Sequence, residues 1–387
     1  MVSRQCNIPK NNSFFLFGAR GTGKTSLIKA EFSDSSISYY IDLLTDELVD
    51  RYSVSPQALK NEIELLSKDV SWIIIDEIQK VPKLLNVVHR LVESKKNLKF
   101  ILIGSSSRRL KQKGQNLLTG RARVRNLYPL TWFELKNEFN LSDALNWGTL
   151  PKLLEYTKDD EKKDYLSAYA LTYVRLEIQQ EQWVRKLEPF RKFLPVAAQM
   201  NGKPLNYSAV SRDVGVEVPT VKSYFEILED TLLGFFLHSY SKSIRKQQRL
   251  SSKFYFFDLG VKKAIQKTLS QKLVSKSSEW GLAFEHFIIC EIYRINNYYQ
   301  KDWELSYLLT KDDFEIDLII TKSNKKEIYI KIKSTEKVHE SELGRFSEFC
   351  KENNAEGMVI SCDKISRKAK SVEFLYWQQA LDKLKEL

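Results

Sequence analysis

Apolar runs that stop abruptly at glycine or at acid punctuate the first third of the chain. SFFLFG (13–18) passes directly into ARGTGKT, and ISYYIDLL (37–44) precedes a helical segment around PQALKNEIELLSK. VSWIIIDEIQKVP ends its apolar run at Asp76 and Glu77, and KFILIGSSS (99–107) follows the amphipathic stretch LLNVVHRLVE. Unbroken apolar runs suit strands covered on both faces, and their alternation with helical segments predicts a parallel α/β sheet with crossover helices.

The period then changes. Residues 152–200 are helical in pattern, with LSAYALTYVRLEI placing apolar residues at helical spacing. LNYSAVSRDVGVEVPTVKSYFEILEDTLLGFFLHSY predicts helix, turn at Gly215, helix starting near Pro219, then strand, the outline of a helix-turn-helix followed by a wing. The last third predicts an amphipathic helix over 281–297, strands at WELSYLLT, FEIDLIIT and EIYIKIKST, a helix in HESELGRFSEFCKEN and a strand at EGMVISC. In IYIKIKST the isoleucines alternate with Tyr329, Lys331 and Lys333, so two lysines share one strand face.

Composition narrows the class. With 387 residues, 43% hydrophobic and 28% charged, the chain is a globular protein with room for roughly two to four domains. Its 61 basic against 49 acidic residues give +12, a balance that suits an acidic partner such as nucleic acid and that a lysine-rich proteome gives equally. Cys6, Cys290, Cys350 and Cys362 have no CxxC spacing, which points to reduced thiols and away from zinc. No apolar run has the length of a signal h-region or a membrane span, so a cytoplasmic protein without membrane contact is expected.

The chemistry concentrates at G-x-x-x-x-G-K-T. Gly18, Gly21 and Gly23 allow a backbone loop whose amides surround phosphate oxygens, with Arg20, Thr22 and Ser26 completing the nucleotide-binding segment. Lys24 is placed to reach the β and γ phosphates, Thr25 to hold Mg2+, and the helix that begins there adds its positive end. The sequence pattern admits ATP or GTP. Asp76 is the second candidate for Mg2+, through water, and Glu77 the candidate general base. A solvated strand end would carry the same two acids, and the upstream glycine loop is what favours catalysis. Ser105, at the tip of the next strand, is placed between the attacking water and the γ-phosphate. His89 reads as a surface or core residue. In RRLKQKGQNLLTGRARVRNLYPLTWFEL, Arg121 or Arg123 suits an arginine finger acting on a neighbouring subunit, or coats a solvated loop.

GARGTGKT, IIIDEIQKVP, LIGSSSRRL, LTGRARVRNLYPLTWFEL and WGTLPKLL, in this order, resemble the bacterial and archaeal AAA-type (AAA_14-like) ATPases that carry a DUF4143 C-terminal region. The resemblance runs essentially end to end. It implies ATP rather than GTP, and a multidomain α/β fold: ATPase core (1–137), helical lid (138–200), winged helix (201–257) and a DUF4143-like domain of restriction-endonuclease type (258–387), opened by Asp258. It also implies that Pro151 lies near the nucleotide base, where a helix-starting proline is the plainer reading. Glu177 stands where family members tend to have aspartate. Arg175 beside it either senses nucleotide or pairs with a neighbour.

The order of the last elements resembles the PD-(D/E)XK nuclease fold. Glu285, Asp317 and Lys333 match the helix glutamate, strand aspartate and lysine, whereas Lys331 stands where the second carboxylate belongs. An ammonium there opposes a divalent ion by on the order of several kcal/mol. A network of Glu315, Asp317, Lys331 and Lys333 is the expected substitute, and Glu315 or Glu327 is the candidate for a migrated ligand. The basic run Lys242, Arg245, Lys246, Arg249 and Lys253 suits contact with DNA phosphates or a solvated loop, while Glu226, Glu229 and Asp230 beside Lys222 and Ser223 argue against base reading by the preceding helix. The expected protein is an Mg2+-dependent ATPase working as a switch or assembly motor in an oligomer. The alternatives are a DNA-binding protein regulated by ATP and an ATP-coupled nuclease.

Overall fold

The computed structural model describes residues 2–94, 97–106, 121–173, 187–241, 250–323 and 326–387, which divide into two compact units. Arg175, Glu177 and the basic residues 242–249 lie outside the described residues.

The first unit comprises Met1–Leu130, Leu150–Lys152 and Asp230–Leu233. Its strands β1 (Ser13–Phe17), β2 (Ser38–Asp42), β3 (Trp72–Asp76), β4 (Lys99–Gly104) and β5 (Ala122–Asn126) form one sheet in the order β2-β3-β4-β1-β5. Every pairing is parallel, with Leu16 opposite Ile103, Ile74 opposite Ile101 and Asp42 opposite Asp76. The unbroken apolar runs are explained by burial on both faces. Phe15, Phe17, Ile73, Ile75, Phe100 and Leu102 face Tyr52, Leu59 and the amphipathic helix Leu84–Ser94. On the other face Phe14 and Trp72 meet Phe32, just past the helix Lys24–Glu31. Each such side chain contributes roughly 1.5–3 kcal/mol by leaving water. The result is a stiff sheet whose carboxyl edge carries the loops after β1, β3 and β4.

The second unit comprises Thr131–Thr149, Leu153–Glu229 and Gly234–Leu387. It contains β6 (Gly234–Ser239), β7 (Lys253–Phe256), β8 (Glu304–Leu309), β9 (Glu315–Thr321), β10 (Ile328–Lys333), β11 (Glu356–Ser361), β12 (Arg367–Ala369) and β13 (Val372–Tyr376). They form a mixed sheet in the order β12-β13-β11-β10-β9-β8-β6-β7. On one face Ile328, Ile330 and Ile332 join Phe284, Phe287 and Ile288 of the helix Ser278–Tyr298 and Trp377 of the helix Trp377–Glu386. On the other, Tyr329 packs with Ile316, Ile319, Phe346 and Val359. The alternation in IYIKIKST thus separates two cores.

Helices Leu187–Gln199, Tyr207–Val214 and Val218–Asp230 precede the β6–β7 pair, and Phe193, Phe225 and Phe254 meet edge to face at their centre. Asn206 accepts the Ala209 amide at 3.0 Å and so caps the second of them. β6 pairs antiparallel with β7 and parallel with β8, so the hairpin read in the sequence as a wing forms the outer strands of the large sheet. Asp258 follows directly. Buried, it caps the helix Leu259–Gln266 through the Val261 amide at 3.0 Å and accepts the Thr149 amide at 2.8 Å. No helix among the described residues is long and apolar enough to cross a membrane.

Candidate functional site

The glycine loop leaves the carboxyl end of β1, in the interior of the sheet. A Cβ on Gly18 would lie 2.4 Å from the Leu127 carbonyl oxygen, so only glycine lets the loop pass the segment after β5. Gly23, at φ 90°, turns the chain into the helix Lys24–Glu31 in a conformation that disfavours other residues. Thr22 is buried and its hydroxyl donates to the Ala19 carbonyl at 2.8 Å. The Lys24 ammonium is buried over the loop, donating to the carbonyls of Gly18 at 2.6 Å and Ala19 at 3.2 Å. Arg20 and Ser26 are exposed on the loop and the first helical turn.

Arg4, which the sequence reading did not single out, braces this loop. Its guanidinium donates to the Thr22 carbonyl at 2.7 Å and to the Tyr128 carbonyl at 2.6 Å. Pro151 belongs to the short segment that packs with the same unit, its Cγ 3.8 Å from where a Cβ on Gly23 would stand. Pro151 and Arg4 therefore border the loop at the start of the helix.

The Thr25 hydroxyl donates to Asp76 Oδ2 at 2.7 Å. Two hard oxygen donors from the first helical turn and the end of β3 thus meet, the set from which Mg2+ is commonly held together with phosphate oxygens and water. The same Asp76 oxygen accepts the Tyr40 hydroxyl at 2.5 Å. Burial, followed by that carboxylate, pushes the Tyr40 phenol well above its usual range and keeps it a donor. Tyr40 was also missed by sequence reading. Its alignment with Asp76 follows from the parallel register that sets Asp42 opposite Asp76 and Tyr40 opposite Ile74.

Glu77 leaves the strand at φ 57°, ψ 41°, a left-handed conformation that costs a non-glycine residue roughly 1–3 kcal/mol and recurs at functional sites. Its amide donates to Asp76 Oδ1 at 3.0 Å. Gln79, 3% exposed, links the two predicted catalytic side chains: its amide nitrogen donates to Glu77 Oε2 and to Ser105 Oγ, the latter at 3.1 Å. Among the described residues its Oε1 has no hydrogen-bond partner, and it lies 2.6 Å from where a Cβ on Gly104 would stand. Sequence reading named Glu77 and Ser105 but not this bridge, whose only signal was a polar residue two positions past the acid.

Arg121 is exposed and donates to His89 Nε2 at 2.7 Å and to Glu93 Oε1 at 2.6 Å, so its partners are on the helix Leu84–Ser94. A guanidinium cannot accept, so His89 is the acceptor there and occupies the surface. Arg123 is exposed on β5.

In the second unit, Lys331 donates to Asp317 Oδ1 at 2.7 Å, and Asp317 Oδ2 accepts the Ile332 amide at 2.6 Å. Glu315 pairs with Lys253, not with Lys333: Lys253 Nζ stands 2.6 Å from Glu315 and 3.6 Å from Glu285. Lys253, expected in the DNA-facing basic run, is 2% exposed and is corrected to a core residue. Burial raises the Glu285 carboxyl, with Asp317 adding to the effect, while Tyr255 donates to it at 2.9 Å. Glu327 is engaged by Tyr240 and Tyr329 at 2.8 and 3.0 Å. Among the described residues no group of three or more histidines, cysteines or acids is arranged to hold a metal ion.

A parallel sheet with a phosphate-type glycine loop after β1 and an acidic pair after β3 defines the class as a P-loop NTPase. Within it, residues 10–136 match the model of an AAA domain and residues 280–379 that of a domain of unknown function, DUF4143; the chain carries an AAA-type ATPase domain with a DUF4143 C-terminal region, as the motifs implied. Residues 138–272 match a further domain of unknown function, DUF8612, which sequence reading did not name. The uncharacterized proteins Mb2031c of Mycobacterium bovis and Rv2008c of Mycobacterium tuberculosis are each 24% identical over 256 residues, 65% of this chain and 56% of theirs, so the match spans little more than half the length of these relatives. Thermococcus gammatolerans McrB AAA+ hexamers with bound McrC align over 69% of this chain and 79% of that one at 9% identity and a TM-score of 0.25, a likeness that carries no argument.

Proposed function

We propose that this protein binds ATP and hydrolyses it with Mg2+, and that it works as a nucleotide-driven switch or assembly motor. The observation that carries the reading is the meeting of Thr25 with Asp76, 2.7 Å apart, beside the buried Lys24 ammonium. Thr25 and Asp76 would hold Mg2+, which when bound neutralises charge on the phosphates. Gly18, Gly21 and Gly23 supply amides, Lys24 turns from its loop carbonyls to the β and γ phosphates, and Arg20, Thr22 and Ser26 line the approach. Glu77 takes the proton of the attacking water and Ser105 orients it. Arg121 acts from a neighbouring subunit in an oligomer, and Pro151 borders the base.

The proposed layout is ATPase core 1–137, lid 138–200, winged helix 201–257 and a nuclease-derived domain 258–387 that does not cleave. Support for the last point is that Lys253 and Lys331 already neutralise the carboxylates a metal would need.

The test is ATP hydrolysis by the purified protein with and without DNA, with its mass recorded in both nucleotide states. Lys24→Ala is expected to abolish turnover, and Glu77→Gln to bind ATP yet turn over at least ~100-fold slower. Undiminished turnover by Lys24→Ala would overturn the assignment. DNA binding whose steep salt dependence is lost on neutralising residues 242–249 would favour the alternative of an ATP-regulated DNA-binding protein.

A further inference from the structure

A cavity of 440 Å³ in the second unit lies between the helix Leu259–Gln266, the start of the helix Ser278–Tyr298 and the turn at Gln199–Lys203. Volumes of this order are typical of small-molecule sites. Lys203, Lys262, Lys263 and Lys272 line it, against a single carboxylate, Glu279. Two of the lysines are satisfied: Lys272 pairs with Asp159 at 2.6 Å, and Lys263 donates to Asn146 Oδ1 at 3.2 Å and to the Gln271 carbonyl at 2.9 Å. Glu279 is exposed and engaged by the start of its own helix, with Ser278 at 3.0 Å.

Lys262 differs. It is half-buried on the cavity wall, and among the described residues its ammonium has neither a carboxylate partner nor a hydrogen-bond acceptor. Burial, followed by the repulsion of Lys203, pushes it down to about 8. Lys203, exposed on the turn, lines the same cavity, and among the described residues the two ammoniums share no carboxylate, an arrangement that an anion would complete. The floor is fixed in advance. Asn201 donates to His286 Nδ1 at 3.3 Å, and neutral His286 donates from Nε2 to the Phe256 carbonyl at 2.6 Å.

We infer that this cavity is a binding site for a small phosphate-bearing molecule, with Lys262 and Lys203 as its phosphate ligands. A phosphate fits better than a lone carboxylate because it brings close to two negative charges to two ammoniums, where a carboxylate brings one. Gln199, Gln266 and Gln271 also line the cavity, and side chains of this type can pair with the hydroxyl groups of a phosphate ester.

The experiment uses the full chain carrying Lys24→Ala, so that the glycine loop does not compete, with pyrophosphate and glycerol 3-phosphate as probes and glycerol as the control. Calorimetry is expected to show binding of at least one phosphate probe and none of glycerol. Adding Lys262→Gln should weaken binding at least ~10-fold, since it removes a charge-assisted contact, and Lys262→Arg should largely retain it. An orthogonal readout needs no substitution at the site: Lys262, as an amine of depressed basicity, should label early with an acylating reagent in the full chain, and the probe should protect it. No binding of either probe, or binding unchanged by Lys262→Gln together with no protection of Lys262, would overturn the inference. Because the glycine loop is silenced, failure here leaves the ATPase proposal untouched.

Discussion

Asp76 Oδ2 accepts two hydroxyls at once, from Thr25 at 2.7 Å and from Tyr40 at 2.5 Å. One belongs to the first turn after the glycine loop and the other to the neighbouring strand. Tyr40 therefore fixes the orientation of the carboxylate proposed to hold Mg2+, and is not itself among the proposed ligands. Groups in that position typically change metal affinity by 10–100-fold. Tyr40→Phe is expected to raise the Mg2+ concentration for half-maximal ATP hydrolysis by about tenfold while leaving ATP binding in EDTA unchanged. An unchanged Mg2+ requirement would remove Tyr40 from the site.

Gln79 holds Glu77 and Ser105 with the same amide nitrogen. Gln79→Leu keeps approximate volume but frees both side chains. Single-turnover hydrolysis should slow by roughly 10–100-fold with ATP affinity little changed, because positioning acts on the step and not on binding. Equal losses in affinity and rate would instead indicate a collapsed loop.

Lys331 and Asp317 form a largely buried pair. Lys331→Met removes the ion-pair partner of the buried Asp317 and should destabilise the second unit by about 3 kcal/mol in denaturant unfolding. Adding Asp317→Asn should recover a substantial part. No Mg2+-dependent cleavage of DNA is expected from the unaltered protein in any nucleotide state, and cleavage lost with Asp317→Ala would revive the nuclease reading.

His286 is buried and donates one ring hydrogen to the Phe256 carbonyl, and burial pushes its pKa down to about 3 from an ordinary 6.5. The unfolded chain gains a proton below 6.5 that the folded one resists down to about 3. Its contribution to stability is therefore complete above 6.5 and is lost on acidification, by up to about 1.4 kcal/mol per pH unit. Glu291, raised to about 7 from 4.5 chiefly by burial, works oppositely: its contribution is present below 4.5 and lost as pH rises through 7. Comparing His286→Gln with the unaltered chain at pH 7 and pH 5 isolates the histidine. The gap between them should shift in favour of the variant at pH 5.

The glycine loop, the acidic pair and the strand alternation were legible because each is local: a spacing, a strand end, a period of two. Tyr40, Gln79, Arg4 and Lys253 were not, because their roles depend on register and strand order. Tyr40 reaches Asp76 only once β2 lies parallel to β3 in one alignment. Lys253 looked like one more member of a basic run, and became a core residue because β7 joins the sheet beyond β8 and β6. Lys333, matched by motif, has no ion pair with Glu315, whose charge Lys253 has taken. Residue type near a motif can be read along the chain, whereas the partner across a sheet cannot.

Lys253 and Lys331 have a consequence for how the large sheet responds to its surroundings. A divalent ion between carboxylates can be stripped by a chelator or exchanged for another ion. A lysine ammonium is tethered by covalent bonds and is delivered with the polypeptide. The C-terminal sheet carries its counter-ions as part of its own covalent structure, so its integrity should be indifferent to EDTA and to the supply of magnesium on which the other end of the chain is proposed to depend.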